Sequence, residues 1–115
     1  MRIGEVSLLT NDVVRLANFY KNLLGIENNS DDTIHQTLIA EETQFTIYND
    51  GSIKENNNRN ICLAFTVEDI DAEYAKLLDA GVEIIDKPTR RPWGATNMSF
   101  YDPDGNTIYL RSFSD

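Results

Sequence analysis

The first half of the chain shows two hydrophobic periods, one after the other. Residues 3–10 are rich in β-branched and apolar side chains, with Glu5, Ser7 and Leu9 on one face, which predicts a strand. An apolar stripe at helical spacing follows and ends at Gly25. This stripe predicts an amphipathic helix that is closed by a glycine C-cap.

Polar residues mark the start of that helix and the end of the first half. Asn11 or Asp12 is placed to serve as the helix N-cap. Two short strands then form a predicted hairpin, over residues 34–40 and 44–48. Residues 49–60 are the most polar stretch of the chain and have no hydrophobic period, which predicts a linker.

The second half repeats the order of the first. A strand is predicted over residues 61–67, and Glu68 or Asp69 then caps a helix that ends at Gly81. The remaining predicted elements are a strand over 82–85, a proline-containing loop over 87–94 and two closing strands over 96–101 and 107–113.

The repeated order predicts an α+β fold in which a βαβββ unit is used twice. One domain is expected over residues 2–113, with module one at 2–50, a linker at 51–59 and module two at 60–113. A ferredoxin-like sandwich, which has six elements rather than ten, is the alternative fold.

Charge and cysteine content narrow the expected surroundings of the protein. The formal net charge of −9 disfavours nucleic acid and anionic membranes as partners. Solubility is the ordinary role of such a charge, and attraction of a cationic ligand is the alternative. The single cysteine cannot form an internal disulfide, and the chain shows neither a signal-peptide pattern nor an apolar run long enough to span a bilayer. A cytoplasmic location is therefore expected.

Three stretches of the chain carry a family resemblance. They are Thr10-Asn11-Asp12…Asn18-Phe19-Tyr20…Leu24-Gly25-Ile26, Phe65-Thr66-Val67-Glu68-Asp69…Gly81-Val82, and Trp93-Gly94…Phe100-Tyr101-Asp102-Pro103-Asp104-Gly105-Asn106. In this order the chain resembles the glyoxalase/bleomycin-resistance/extradiol-dioxygenase (vicinal oxygen chelate) superfamily. The resemblance implies two curled four-stranded sheets, each covered by one helix, that form an open barrel-like cleft within one chain or across a homodimer.

The resemblance also implies where a metal would bind. Metal-dependent relatives use His, Gln or Glu on the first strand of each unit and mostly Glu on the last. The aligned positions here are Glu5, Cys62, Thr46 and Tyr109. Because Glu5 is the one ordinary ligand among them, we expect these positions to be vestigial and the protein to have no cofactor. A divalent metal in a rearranged site is the alternative.

The alternation of the strands predicts which side chains line the cleft: Glu5, Ser7, Thr46, Tyr48, Cys62, Ala64, Thr66, Tyr109 and Arg111, with Trp93 and Phe100 near the rim. Glu5 is the candidate catalytic base, and a pair with Arg111 or a tyrosine is its alternative role. Cys62 is expected to be a small buried hydrophobic residue, and His35 a surface residue. Arg90 and Arg91 are expected to be solvated or to pair with acidic residues.

The function that these expectations favour is metal-free binding of a small organic ligand, by sequestration and without a reaction. The bleomycin-resistance branch, which the chain resembles, consists of acidic homodimers that bind cationic aromatic drugs. Two alternatives stay open. One is a metal-dependent lyase, isomerase or dioxygenase with a rearranged site, and the other is a dimeric scaffold or regulatory module without a ligand.

Overall fold

A computed structural model describes residues 1, 3–52 and 62–113. The chain divides into two units, Met1–Asn56 and Asn57–Asp115, which are called the first and the second unit. The described parts contain two helices and seven strands in the order β1 α1 β2 β3 β4 α2 β5 β6 β7. This arrangement confirms the predicted α+β class.

The first unit is a three-stranded sheet covered by one helix. Its elements are β1 (Glu5–Leu9), α1 (Val13–Leu24), β2 (His35–Ala40) and β3 (Thr43–Tyr48). The strand order is β1-β3-β2, with β1 parallel and β2 antiparallel to β3. The buried apolar side chains of this unit are Leu8, Val13, Leu16, Ala17, Tyr20, Leu38, Phe45 and Ile47. Tyr20 packs edge-on against Phe45, with ring centroids 4.8 Å apart, so the helix lies on the face of β3 that carries Phe45.

Helix α1 begins and ends where the sequence predicts. Asp12 is the N-cap, and its Oδ1 accepts a hydrogen bond from the backbone N–H of Arg15 at 3.3 Å. Gly25 is the C-cap with a φ of 66°, a left-handed conformation that costs glycine little. Its N–H donates to the carbonyl of Lys21 and so satisfies one of the last carbonyls of the helix.

The segment between α1 and β2 differs from the predicted repeat. Residues 26–34 form no strand, so the first unit is βαββ rather than βαβββ. Side chains secure this segment instead: the Lys21 Nζ donates to the carbonyl of Ser30 at 2.8 Å, and the Gln36 Nε2 donates to the carbonyl of Asp32 at 3.0 Å. The Asn-, Ser- and Asp-rich sequence of the segment favours turns, because such side chains bond to nearby backbone groups.

The second unit is a four-stranded sheet with one helix. Its elements are β4 (Leu63–Thr66), α2 (Ile70–Asp79), β5 (Ile84–Arg90), β6 (Ala95–Tyr101) and β7 (Thr107–Phe113). The strand order is β4-β7-β6-β5, with β4 parallel to β7 and the other pairs antiparallel. Its buried apolar side chains are Ile70, Leu77, Ala95, Met98, Phe100, Ile108 and Leu110. This unit has the full βαβββ order.

Strand β5 extends beyond the predicted strand, which ended at residue 85. Residues 87–90 were expected in a loop. They pair with β6, with register shifts between Ile84 and Asp86 and between Asp86 and Thr89. Pro88 lies within the second shift, on the edge strand of the sheet. A proline cannot donate a ladder hydrogen bond, and bulges on edge strands are the positions that accept it.

Buried hydrogen bonds hold the turn between β6 and β7. Asp102 is buried, and its Oδ1 accepts from the backbone N–H groups of Asp104 and Asn106, each at 2.9 Å. Its Oδ2 accepts from the Asn106 side-chain amide at 2.7 Å. These bonds offset the desolvation of a buried carboxylate, and the turn predicted at 102–105 is confirmed. Neither described helix has the length and apolar character that a membrane span requires.

Candidate functional site

The sheet of the first unit has one face that α1 does not cover. Side chains alternate across a strand, so the residues opposite the Phe45 side share this face. The register confirms the set, since Ser7 pairs with Thr46 and Leu9 with Tyr48. We call this surface the first helix-free face, and its members are Glu5, Ser7, Leu9, His35, Thr37, Ile39, Gln44, Thr46 and Tyr48.

A hydroxyl network fixes the Glu5 carboxylate on this face. Thr46 is only 2% exposed, and its Oγ1 donates to the Glu5 Oε2 at 2.9 Å. The Ser7 Oγ donates to the other carboxylate oxygen at 3.4 Å, and the Thr37 hydroxyl lies 3.4 Å from that of Thr46. A carboxylate has about four lone-pair sites, so Glu5 keeps the capacity to accept from a ligand.

An aromatic pair lies on the same face. His35 pairs with Tyr48 across β2 and β3, and their rings meet edge to face with centroids 5.5 Å apart. Both residues are exposed. The sequence placed His35 on the surface, outside the ligand positions, and its position in β2 next to Tyr48 could not be seen before the register was known.

The sheet of the second unit has an equivalent face. Ala64 pairs with Tyr109, and Thr66 pairs with Arg111. The neighbours of these residues on β6 are Ser99 and Asn97. We call this surface the second helix-free face, and its members are Ala64, Thr66, Asp86, Thr89, Ala95, Asn97, Ser99, Tyr101, Thr107, Tyr109, Arg111 and Phe113.

Two expectations for the second unit are wrong. Phe100 is fully buried, because it lies with Met98 on the opposite side of β6 from Asn97 and Ser99, and therefore it is not at a rim. Cys62 is exposed rather than buried, since it precedes the first residue of β4. Trp93, in the turn between β5 and β6, is 69% exposed and does not pack into the core.

Arg111 and Arg91 have specific partners in the second unit. The Arg111 Nε donates to the Thr66 Oγ1 at 3.0 Å, and its guanidinium carbon lies 5.2 Å from the ring centroid of Phe113. The Arg91 Nε donates to the Asn97 Oδ1 at 2.7 Å. Arg91 is half-buried, and this neutral partner was not expected from the sequence. Asn97 was missed, although its alternation with Met98 along β6 could have placed it on this face.

The two sheets are equivalent position by position. The register of β1 with β3 joins Ser7 to Thr46, and the register of β4 with β7 joins Ala64 to Tyr109. If Glu5 is aligned with Cys62, Ser7 is aligned with Ala64, and the two registers then set Thr46 at the place of Tyr109. Glu5 and Thr46 thus occupy in the first unit the places that Cys62 and Tyr109 occupy in the second.

The donor chemistry at these four positions is unlike that of a divalent-metal site. One carboxylate is present, and the Thr46 hydroxyl beside it is used as a donor to that carboxylate. A neutral threonine and tyrosine are poor ligands for divalent cations, which prefer carboxylate and imidazole groups. Among the residues described, no three or more His, Cys, Asp or Glu side chains group closely enough to hold a metal ion.

Comparisons with known proteins agree with this architecture. The model of the Glyoxalase/Bleomycin resistance protein/Dioxygenase superfamily matches residues 2–110. The uncharacterized protein YraH of Bacillus subtilis (strain 168) is 31% identical over 124 aligned positions, which cover 96% of this chain and 97% of that protein.

Solved structures show the same fold. A protein of unknown function from Agrobacterium tumefaciens str. C58 is 28% identical with a TM-score of 0.80, covering 99% of this chain and 95% of that one. A lactoylglutathione lyase from Agrobacterium tumefaciens is 17% identical with a TM-score of 0.75, covering 96% of this chain and 92% of that one, and at this identity it shows the fold alone. Because the family match spans nearly the whole sequence, the chain belongs to the glyoxalase/bleomycin resistance protein/dioxygenase superfamily.

Proposed function

We propose that this protein binds a small organic ligand on the first helix-free face and sequesters it without a chemical reaction. The observation that carries the proposal is the Glu5 carboxylate, which Thr46 and Ser7 hold in place and which lies on the same face as the exposed Tyr48 and His35. A fixed carboxylate accepts hydrogen bonds from a cationic group, while aromatic side chains contact a flat apolar body.

The charge of the protein supports a cationic ligand. The chain carries 19 acidic and 10 basic side chains, so its net charge attracts cations over a distance. The direct contact with the bound cation is made by Glu5, which is the one carboxylate of the first helix-free face. We therefore propose a cationic aromatic compound as the ligand class.

The chemistry of the metal positions supports binding without turnover. Lewis-acid catalysis needs a cation held by several strong donors, and the four aligned positions offer one carboxylate, one thiol and two neutral hydroxyls. These residues do not fit a divalent cation, and we assign none to the protein.

The test is a titration with benzylamine, which is protonated at neutral pH, against its neutral analogue benzyl alcohol. Benzylamine is expected to raise the melting temperature and to bind more tightly than the alcohol by up to about fivefold, since an ion pair with an exposed carboxylate such as Glu5 contributes about 0–1 kcal/mol. Mass spectrometry of the recovered amine should show no new product. Turnover of the amine would contradict sequestration and favour the enzyme alternative.

Matched variants connect the result to the site. Glu5→Gln keeps the shape of the side chain and removes its charge, so the preference for the amine should disappear. Glu27→Gln makes the same change at an exposed residue outside the sheet and should leave binding unchanged. Equal binding of both analogues to the unaltered protein would contradict the proposal, and no binding of either would favour a scaffold without a ligand.

Two finer features belong to the same proposal. A homodimer is the assembly that the family resemblance favours, and a cytoplasmic location is what the single cysteine favours. Sedimentation equilibrium over a range of protein concentrations measures the first, and fractionation of cells expressing the untagged protein measures the second. A monomer at every concentration would leave ligand binding to a single chain.

A further inference from the structure

We propose that the ligand of the first helix-free face is an arylalkylamine that lies along the strands, with its ammonium group at Glu5 and its ring against Tyr48 and Leu9. This inference rests on the proposed function and adds the shape of the ligand, a chain of about three carbons between ring and nitrogen. Its basis is the spacing of side chains within the first sheet.

The strand registers arrange the side chains of this face in three rows. Each strand contributes every second residue, and a strand rises about 3.3 Å per residue, so successive rows lie about 7 Å apart. The outer row is Glu5, Gln44 and Ile39, the middle row is Ser7, Thr46 and Thr37, and the aromatic row is Leu9, Tyr48 and His35.

The Glu5 carboxylate reaches from the outer row to the middle row. Its Oε2 accepts from the Thr46 Oγ1 at 2.9 Å, and its Oε1 accepts from the Ser7 Oγ at 3.4 Å. Because Thr46 is buried, the first of these bonds ties the carboxylate to the floor of the face. An ammonium group bound to Glu5 therefore lies above the middle row, about 2.8 Å from a carboxylate oxygen.

The aromatic row supplies the apolar contact. Tyr48 is 37% exposed, and its ring meets the His35 ring edge to face. Leu9 pairs with Tyr48 from the opposite strand and is half-buried. A ligand ring that lies on Leu9 contacts the Tyr48 ring as an aromatic pair, which contributes affinity beyond the apolar area it covers.

The outer row offers less to a ring. Gln44 occupies in that row the place that Tyr48 occupies in the aromatic row, and Gln44 and Ile39 are both exposed. The ring is therefore assigned to the aromatic row, so that the ligand runs from Glu5 toward the end of β3.

The distance between rows sets the length of the ligand. Carbon–carbon bonds are about 1.5 Å long. Measured from the ring centre to the nitrogen, a one-carbon chain spans little more than half of the row spacing, and a three-carbon chain spans nearly all of it. Benzylamine therefore reaches Glu5 without placing its ring on the aromatic row. Phenylpropylamine, with its amine at the end of the chain, makes both contacts.

The experiment measures two gains in affinity by isothermal titration calorimetry on the unaltered protein. One gain is from benzylamine to phenylpropylamine, and the other is from benzyl alcohol to phenylpropanol with its hydroxyl at the end of the chain. A neutral ligand places its ring on the aromatic row at either length, so the alcohols record only the burial of added methylene groups. The amines should gain at least about threefold more than the alcohols, because the longer amine adds the ring contact. Equal gains would overturn the proposal without the need for any variant.

Two variants locate the ring. Tyr48→Ala should weaken the binding of phenylpropylamine by about threefold to tenfold and that of benzylamine by less than about twofold. Ile39→Ala is the matched control, since Ile39 is an exposed apolar residue of the same face in the outer row. It should change the affinity for either amine by less than about twofold. A loss in Ile39→Ala that is absent from Tyr48→Ala would reverse the direction of the ligand and overturn the proposal.

The proposed function and this inference fail separately. Glu5→Gln should remove the preference for amine over alcohol at both chain lengths. If the unaltered protein has no such preference at either length, the proposed function fails, and the inference fails with it. If the preference is present but Tyr48→Ala weakens both amines equally, the carboxylate still binds a cation and only the assigned ligand shape is overturned.

Discussion

The two sheets place different chemistry at the same register positions. In the first sheet, His35 pairs with Tyr48, and the rings meet edge to face. In the second sheet, the corresponding pair is Asn97 with Arg111, and a guanidinium replaces the phenol. The backbone pattern is the same in both sheets, because each pair joins the last strand of its unit to the strand before it.

The difference extends to the first strand of each unit. Glu5 and Ser7 in β1 hold a negative charge and a hydroxyl, whereas Cys62 and Ala64 at the aligned positions carry neither. The repeated fold therefore presents a carboxylate beside hydroxyls in one unit and a guanidinium beside aromatic rings in the other. The fold fixes where side chains are displayed, and the individual residues decide what each face can bind.

The two units also differ in how the chain leaves its helix. After α2 the chain enters β5, but after α1 it runs through residues 26–34 without forming a strand. Hydrogen bonds from side chains replace the missing strand pairing there, with Lys21 as the charged donor. The comparison predicts that the first unit depends on single polar side chains at a place where the second depends on backbone pairing.

The largest expected loss of stability follows from truncating a buried side chain in the core beneath each helix. Leu38 and Phe100 occupy equivalent positions in the two sheets, and both are fully buried. Leu38→Ala should lower the free energy of unfolding by about 2–5 kcal/mol, and Phe100→Ala by about 3–5 kcal/mol. Urea denaturation measures both.

The control for this pair is Phe113→Ala, at an exposed phenylalanine of the same sheet. It should cost about 1 kcal/mol or less, because little apolar surface is lost. A large loss of stability in Phe113→Ala with little loss in Phe100→Ala would place Phe100 at the rim rather than in the core.

The next effect concerns the segment that replaces a strand. Lys21 is buried, and its Nζ donates to the carbonyl of Ser30 at 2.8 Å. Lys21→Met should lower the free energy of unfolding by about 1.5–3 kcal/mol, the contribution of a hydrogen bond to a charged group. Hydrogen exchange of the amides over residues 26–34 should become faster.

Lys76 serves as the matched control in the second unit. It pairs with Glu73 across 3.6 Å at an exposed site, and such pairs contribute about 0–1 kcal/mol. Lys76→Met should therefore be nearly neutral. If both variants lose the same stability, the segment over 26–34 does not depend on Lys21, and the contrast between the units fails.

A smaller loss of stability is expected when the helix N-caps, which the two units share, are removed. Asp12 and Asp69 cap the two helices, and each Oδ1 accepts from the backbone N–H three residues later. Replacement of either by alanine should cost about 0.5–2 kcal/mol, and the two losses should be similar. Thermal unfolding of the two variants measures them, and a loss in only one would mean that the caps are not equivalent.

The smallest effect is a pH dependence in the first unit. Backbone N–H groups of Ile34 and His35 donate to Asp32 and hold the pKa of its carboxyl below the ordinary value. The stabilisation is therefore complete above the ordinary aspartate pKa and is lost as the pH falls through the lower pKa of the folded protein. The difference in stability between the unaltered protein and Asp32→Ala should shrink over that acidic range. NMR titration of the carboxyl gives the pKa directly, and a value at or above the ordinary one would contradict these bonds.

The sequence predicted the elements whose signals are local. The caps at Asp12 and Asp69 and the turn at 102–105 depend on neighbouring residues, and they form as expected. The alternation of β1 and β7 predicted which side chains share a face. The aligned positions Thr46 and Tyr109 correspond in the strand registers once Glu5 is aligned with Cys62.

What the sequence did not predict depends on pairing between distant segments. The length of β5 is set by its partner β6, which accommodates Pro88 through a bulge. The hydrogen bond from Arg91 to Asn97 crosses the turn between these strands. Arg91 precedes a proline in the sequence, and this local pattern does not indicate a partner six residues later. Phe100 is different, since its alternation with Met98 was visible and would have placed it in the core.

Binding of an organic ligand to the first helix-free face is proposed to need no metal. The most direct measurement is the metal content of the untagged protein by elemental analysis, before and after treatment with a chelator, with the melting temperature followed in parallel. We predict substoichiometric metal and a melting temperature that the chelator does not change. Stoichiometric metal whose removal lowers the melting temperature would contradict this prediction and favour the metal-dependent alternative.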